Sequence, residues 1–175
     1  RAGPSPARAA SSAARAGDGP ARVGLFVDPD PDRVAEALAT IRLDALQLYG
    51  GIGDPEAWRA RFGLPIWRPV GVSAAAELPA DAMGADRLLI EAKAPPGATR
   101  PGGNGAAFDW SILKGWAPPA PWILAGGLTP ANVAEAVRAT GAGAVDVASG
   151  VERAKGVKDP DLIRAFVAAA RGASA

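Results

Sequence analysis

Trp122-Ile123-Leu124-Ala125-Gly126-Gly127-Leu128-Thr129-Pro130 decides the architecture. Its apolar run is too short for a buried helix. It breaks at a glycine pair and passes into Thr-Pro, a capping side chain followed by the residue best suited to the first helical position. The stretch therefore reads as strand, loop and helix start. The same grammar recurs along the chain. Other short apolar runs are Val23–Val27, Ala45–Leu48, Pro65–Val70, Leu88–Ile90 and Ala144–Val147, and each gives way to turn residues. Asp30-Pro31, Asp54-Pro55 and Asp159-Pro160 repeat the cap-proline signal. After Asp30, Val34, Leu38 and Ile41 keep helical spacing. After Asp159, Leu162, Ile163, Phe166, Val167 and Ala170 form an apolar stripe.

Strand, helix, strand in this rhythm predicts an α/β fold with parallel strands joined by helical crossovers. The expected architecture is an incomplete (β/α)8 barrel with about six of eight strands present, numbered three to eight. The shortage falls at the N-terminus, where no strand precedes Val23. Residues 1–21, rich in Ala, Pro, Gly, Ser and Arg, read as a loose arm or remnant helix, and residues 22–175 as one partial barrel domain. The chain opens on Arg1 rather than methionine, which reads as a fragment.

Composition removes several classes of function. With 49% apolar and 21% charged residues, a sizeable core can be buried. A net charge of +1 without a block of like charges predicts no nucleic-acid partner. The apolar runs fall short of a membrane span, and no signal-peptide core opens the chain, so a soluble cytoplasmic protein without a membrane partner is expected. Cysteine and histidine are both absent. That excludes a disulfide framework, a thiolate nucleophile and imidazole general-base chemistry within this sequence. The commonest metal ligand is missing with the histidine.

Two small-residue turns are candidate phosphate sites. Gly126-Gly127 follows the seventh strand and Ser149-Gly150 the eighth, in a barrel numbered as above. Small residues at the carboxyl ends of strands let a phosphate approach backbone N–H groups, and barrels use these two loops for that purpose. The plain alternative is a pair of tight turns. Glu91 ends the run Leu88–Ile90, where barrels carry catalytic groups. It is a candidate acid or base, and equally a rim partner of Lys93 or a nearby arginine. Asp146 lies in the last run; a strand carboxylate is either paired or functional, and its direction stays open. The glycine-rich Gly97–Gly105 segment is a lid or a plain surface loop, and lacks the ending of a nucleotide P-loop. The tryptophans are scattered as packing residues, and the direction of Arg68 stays open.

Taken together, Val23-Gly24-Leu25-Phe26-Val27-Asp28, Leu46-Gln47-Leu48-Tyr49-Gly50, Gly105–Trp110, Ala125–Leu128 with Asn132-Val133, and Asp146–Glu152 with Gly156–Asp159 resemble the phosphoribosylanthranilate isomerase family, in order from about Ser5 to the C-terminus. The resemblance implies an Amadori rearrangement of an aminoaldose phosphate in tryptophan biosynthesis, without metal or organic cofactor. It implies a general acid at Glu91, where the family has aspartate, and a base that is a cysteine on the first strand, with no counterpart here. Tyr49 stands at the family's histidine and Ala106 at a frequent lysine. Arg8 resembles the arginine that holds the anthranilate carboxylate, and Gly126, Gly127, Ser149 and Gly150 resemble the phosphate grip.

The resemblance thus implies a small phosphorylated substrate. A polypeptide of these residues is expected to have little isomerase activity by itself. The other readings are a non-catalytic barrel remnant that binds a phosphorylated ligand or a partner, and a different phosphate-binding barrel such as indole-glycerol-phosphate synthase. Strand edges beside Val23–Val27 and Val145–Val147 would suit a homodimer or a complementing chain.

Overall fold

In the computed structural model, residues 19–93 and 109–173 are described. The apolar runs become β1 (Val23–Val27), β2 (Ala45–Tyr49), β3 (Ile66–Val72), β4 (Arg87–Ala92) and β5 (Trp122–Leu124). They form one sheet in the order of the chain, and every neighbouring pair is parallel. Helices α1 (Pro31–Thr40), α2 (Pro55–Phe62), α3 (Val133–Thr140) and α4 (Pro160–Ala173) alternate with the strands, and a small antiparallel hairpin, β6 (Glu152–Ala154) with β7 (Val157–Lys158), precedes α4.

Register decides which side chains share a face. Arg68 lies opposite Leu88, and Val70 opposite Ile90 opposite Leu124. Leu88, Ile90 and Leu124 pack with Val133, Ala136, Val137 and Phe166 beneath the helices. Leu46, Leu48 and Ile66 continue that layer against Val34 and Trp58. On the other face Leu89, Ile123 and Ala125 cluster with Trp67 and Ala144. Leu88, Leu89 and Ile90 are 0%, 1% and 0% exposed, so β4 is buried on both sides. That is why its sequence is a continuous apolar run instead of an alternating one. Arg68 belongs to the helix side, where its Nη1 donates to Gly50 O at 3.1 Å.

The caps act largely as read. Asp30 accepts from Asp32 N at 2.8 Å, Asp54 from Glu56 N at 2.9 Å and Asp159 from Asp161 N at 2.8 Å. Each proline occupies a position whose missing N–H costs nothing. For Asp54→Ala the expected loss is about 1 kcal/mol of stability in urea melts, because α2 is short and has no second side-chain cap.

Three expectations differ from the structure. Ala144–Val147 is not a strand; it joins the sheet by a single parallel bridge between Leu124 and Val145. β5 ends at Leu124 and is too short to template a longer ladder. The helix expected at Thr129-Pro130 begins at Val133. Asn132 Oδ1 takes the Thr129 N–H at 2.7 Å and its Nδ2 donates to Gly127 O at 3.1 Å, which holds these residues in a tight turn. The apolar stripes are also narrower than expected, since Ile41, Ile163 and Val167 are exposed.

The tryptophans serve packing. Trp58 donates to Ile52 O, Trp116 meets Trp122 edge to face, and Trp67 lies under the Arg87 guanidinium. No helix among the described residues is long and apolar enough to cross a membrane. None of their His, Cys, Asp and Glu residues are grouped to hold a metal ion.

Candidate active site at the carboxyl end of the sheet

Strand alternation assembles a polar group on the face away from the helices. Gln47 and Tyr49 alternate with the buried Leu46 and Leu48, so both point to that face. Glu91 follows Leu89 by one alternation and lies opposite Gly71 of β3. Asp146 follows Val145, which packs toward the helices, so Asp146 faces the same way as Glu91. Its N–H donates to Leu124 O at 2.8 Å, and this places it beside the end of β5. The direction left open by the sequence is settled as the polar face.

Glu91 is 5% exposed. Its carboxyl is pushed up to about 7, first by burial and then by the Asp146 charge, with the nearby Tyr49 hydroxyl favouring the anion. Lys93 is not its partner. The Lys93 ammonium pairs with Glu77, whose carboxylate also accepts the Ser73 N–H at 2.7 Å. These contacts hold Glu77 down at about 2. Among the described residues no lysine or arginine forms an ion pair with Glu91. The rim ion-pair reading therefore gives way, and a buried acid at the carboxyl end of the sheet remains. Near neutral pH it is present in both protonation states, as a proton donor requires.

Asp146 is also raised, by the protein packed around its carboxylate, with the Lys158 charge opposing. The residue itself keeps solvent exposure on the open side of the sheet. Crowding by protein atoms, not enclosure, is thus the source of its shift. Tyr49 is pushed up, first by burial and then by the Glu91 charge.

The two glycine turns meet. A Cβ built on Gly150 would lie 1.8 Å from Leu128 O and 3.2 Å from Thr129 Cα. Ser149-Gly150 therefore rests directly on the Gly126–Thr129 loop, a contact only glycine allows. Gly126 and Gly127 adopt φ of 88° and 64°, in the left-handed region that glycine enters without cost. Asn132 braces this loop from within. Lys158 braces the other, donating to Ala148 O at 2.7 Å and to Glu152 Oε1 at 2.8 Å. Ala125 N donates to Ile90 O at 2.8 Å, so the glycine loop starts next to Glu91. Acid and glycine turns share one end of the sheet.

The structure thus brings together Glu91, Asp146, Gly126, Gly127, Ser149 and Gly150. Arg8 and the Gly97–Gly105 segment lie outside the described residues. Gln47 and Tyr49 were not singled out as site residues. The available signal was the alternation in Ala45-Leu46-Gln47-Leu48-Tyr49, two polar residues on one face of an otherwise apolar strand.

Comparison with known proteins agrees with this geometry. The family model described as N-(5'phosphoribosyl)anthranilate (PRA) isomerase matches residues 5–169. The N-(5'-phosphoribosyl)anthranilate isomerase of Acidiphilium cryptum (strain JF-5) is 60% identical over 152 residues, which is 87% of this chain and 74% of that protein. The solved phosphoribosyl anthranilate isomerase from Thermus thermophilus superimposes with a TM-score of 0.70 at 32% identity, covering 90% of this chain and 75% of that one. A solved phosphoribosyl anthranilate isomerase in complex with reduced 1-(o-carboxyphenylamino)-1-deoxyribulose 5-phosphate gives a TM-score of 0.66 at 30% identity, covering 86% and 71%. The match extends across the fold and nearly the whole sequence: this chain belongs to the N-(5'-phosphoribosyl)anthranilate isomerase family.

Proposed function

We propose that the chain supplies the acid and phosphate-gripping part of a phosphoribosylanthranilate isomerase site in tryptophan biosynthesis. In this reading β1 to β5 and the Ala144–Val147 segment take the places of barrel strands three to eight, within one partial-barrel unit spanning residues 22–175. One observation carries the assignment: a buried carboxyl near neutral pKa, Glu91, lies beside a paired glycine cradle at the same end of the sheet. A relative is solved in complex with reduced 1-(o-carboxyphenylamino)-1-deoxyribulose 5-phosphate, a ligand that carries one phosphate.

The chemistry follows from that pairing. Gly126, Gly127, Ser149 and Gly150 present backbone N–H groups and a hydroxyl to the phosphate. Protonated Glu91 donates to the furanose ring oxygen, the bond from that oxygen to C1 breaks, and the anilino nitrogen lone pair forms the C1 iminium. A base removes the C2 proton, giving the enolamine, which takes a proton at C1 and releases the C2 hydroxyl proton to become the ketone. Asp146 faces the same space and can accept hydrogen bonds from sugar hydroxyls. Arg8 is the proposed partner of the anthranilate carboxylate.

The family's cysteine base has no counterpart among the 175 residues. A polypeptide of these residues, given freshly generated substrate and followed by loss of anthranilate-type fluorescence, is therefore expected to turn over about a hundredfold or more below its relatives. It should still bind the reduced product analogue. Turnover within about tenfold of those relatives would show that another group serves as base. Binding without turnover would mean that the phosphate half of the site works without its base; turnover restored by a peptide bearing a cysteine strand would then favour the isomerase over the second reading, a phosphate-ligand binder, for which the absence of both cysteine and histidine is the supporting feature.

A further inference from the structure

Each glycine turn is held by one of its carbonyls. Asn132 Nδ2 donates to Gly127 O at 3.1 Å, and Lys158 Nζ donates to Ala148 O at 2.7 Å. A carbonyl shares a rigid plane with the N–H of the next residue, and in a trans peptide the two point in opposite directions. Peptide bonds among the described residues are all trans. Drawing Ala148 O toward Lys158 therefore turns the Ser149 N–H to the opposite side. Neither that N–H nor the Gly150 N–H meets an acceptor among the described residues. Lys158 is itself anchored. Glu152 Oε1 accepts another of its protons at 2.8 Å, and Glu152 Oε2 accepts the Gly156 N–H at 2.9 Å across the β6–β7 hairpin. The next residue, Asp159, donates its N–H to Val151 O at 2.8 Å. The hairpin thus grips the Ser149–Val151 turn from both ends. The Lys158 side chain is 47% exposed. An ion pair so open to water adds little to stability, so what the contact fixes is direction.

We propose that Lys158 is a positioning residue for the phosphate turn: anchored by Glu152, its ammonium holds the Ala148 carbonyl so that the Ser149 N–H stays aimed at a phosphate resting between the two glycine turns. This deepens the isomerase reading and rests on its phosphate assignment. A lysine near a phosphate can also act as a plain positive charge. Here two of its three protons are already committed, one to Ala148 and one to Glu152. The two roles predict opposite signs for the loss of Glu152. Were Lys158 only a charge, removing its carboxylate neighbour would strengthen phosphate binding. Because it works by holding a carbonyl, removing the anchor frees the ammonium and weakens binding.

Two measurements separate the contact from its consequence. In the free protein, NMR of the Ala148 carbonyl carbon and the Ser149 amide nitrogen reads the hydrogen bond without any ligand. Lys158→Met should move the Ala148 carbon upfield, because the carbonyl loses a charged donor. Lys158→Arg keeps charge and donors and should restore most of that shift. Isothermal titration with reduced 1-(o-carboxyphenylamino)-1-deoxyribulose 5-phosphate should weaken about tenfold in Lys158→Met. It should weaken by a smaller factor in Glu152→Ala and stay close to wild type in Lys158→Arg. Melting temperatures should move little, which separates a lost grip from a lost fold. Where Lys158→Met folds poorly, the sign of the change in Glu152→Ala decides. An unmoved Ala148 carbon in Lys158→Met would overturn the contact. Unchanged affinity in Lys158→Met, or tighter binding in Glu152→Ala, would overturn the positioning role and leave the phosphate assignment standing. A wild-type chain that does not bind the analogue would overturn the phosphate assignment, and the role of Lys158 with it.

Discussion

Glu91→Gln is expected to make the folded protein more stable above neutral pH and no more stable in acid. In the native state burial pushes the Glu91 carboxyl up to about 7 from its ordinary 4.5. Between those values the folded chain holds a proton that the unfolded chain has released. Stability contributed by this group is therefore greatest below the lower value, falls as pH rises through the window, and is flat above about 7. Glutamine is neutral in both states and carries no such penalty. The difference in pKa corresponds to about 3 kcal/mol, to be read from urea melts at pH values on either side of the window. Wild type and variant should nearly coincide on the acid side, with the variant ahead on the alkaline side. Asp146 is raised as well, so a smaller slope of the same sign should persist in the variant. Equal stabilities at both ends would mean that Glu91 is solvated and ordinary, and its assignment as the acid would fall with that result. The gain would come at the expense of chemistry, because an amide cannot protonate the ring oxygen. Under the proposed role, a buried acid kept near neutrality is a stability cost retained for function.

The parts of the fold that sequence reveals are those where one local cause suffices. Leu88–Ile90 reads as a strand because burial on both faces leaves no polar alternation. Asp30-Pro31 and Asp54-Pro55 read as helix starts because one side chain satisfies one orphan N–H. Ala144–Val147 carries the same apolar signature as a strand, yet its pairing depends on β5, and β5 is only Trp122–Leu124. Pairing is a property of two segments, and one run cannot report it. Thr129-Pro130 has the cap-proline signal, but Asn132 competes for the Thr129 N–H and delays the helix to Val133. At the site, Glu91 was legible by position at the end of an apolar run. What discriminates it from a rim ion pair is that Lys93 turns to Glu77, a residue on a different loop.

Gly150→Asp is expected to abolish binding of the reduced carboxyphenylamino deoxyribulose phosphate, with a loss of at least about a hundredfold. Two effects act together. A Cβ at this position would sit 1.8 Å from Leu128 O, so the Ser149–Val151 turn must move away from the Gly126–Thr129 loop. Neighbouring backbone cannot yield as a flexible side chain would. The carboxylate then lies where the proposed phosphate sits, and like charges in a partly dry turn repel strongly. Gly150→Ala separates the terms, because it brings the steric clash alone and should lose less affinity. Gly126→Asp tests the other loop. There φ is 88°, so the substitution adds backbone strain of about 1–3 kcal/mol as well as charge. Isothermal titration with the analogue reads affinity, and melting of the free proteins shows whether each variant still folds. If folded Gly150→Asp and Gly126→Asp both bind as wild type, the phosphate is held elsewhere and the paired glycine turns are a packing device. If Gly150→Ala alone already removes binding, the distance between the two loops governs the grip, and Asn132 and Lys158, which set that distance from either side, become the next positions to change.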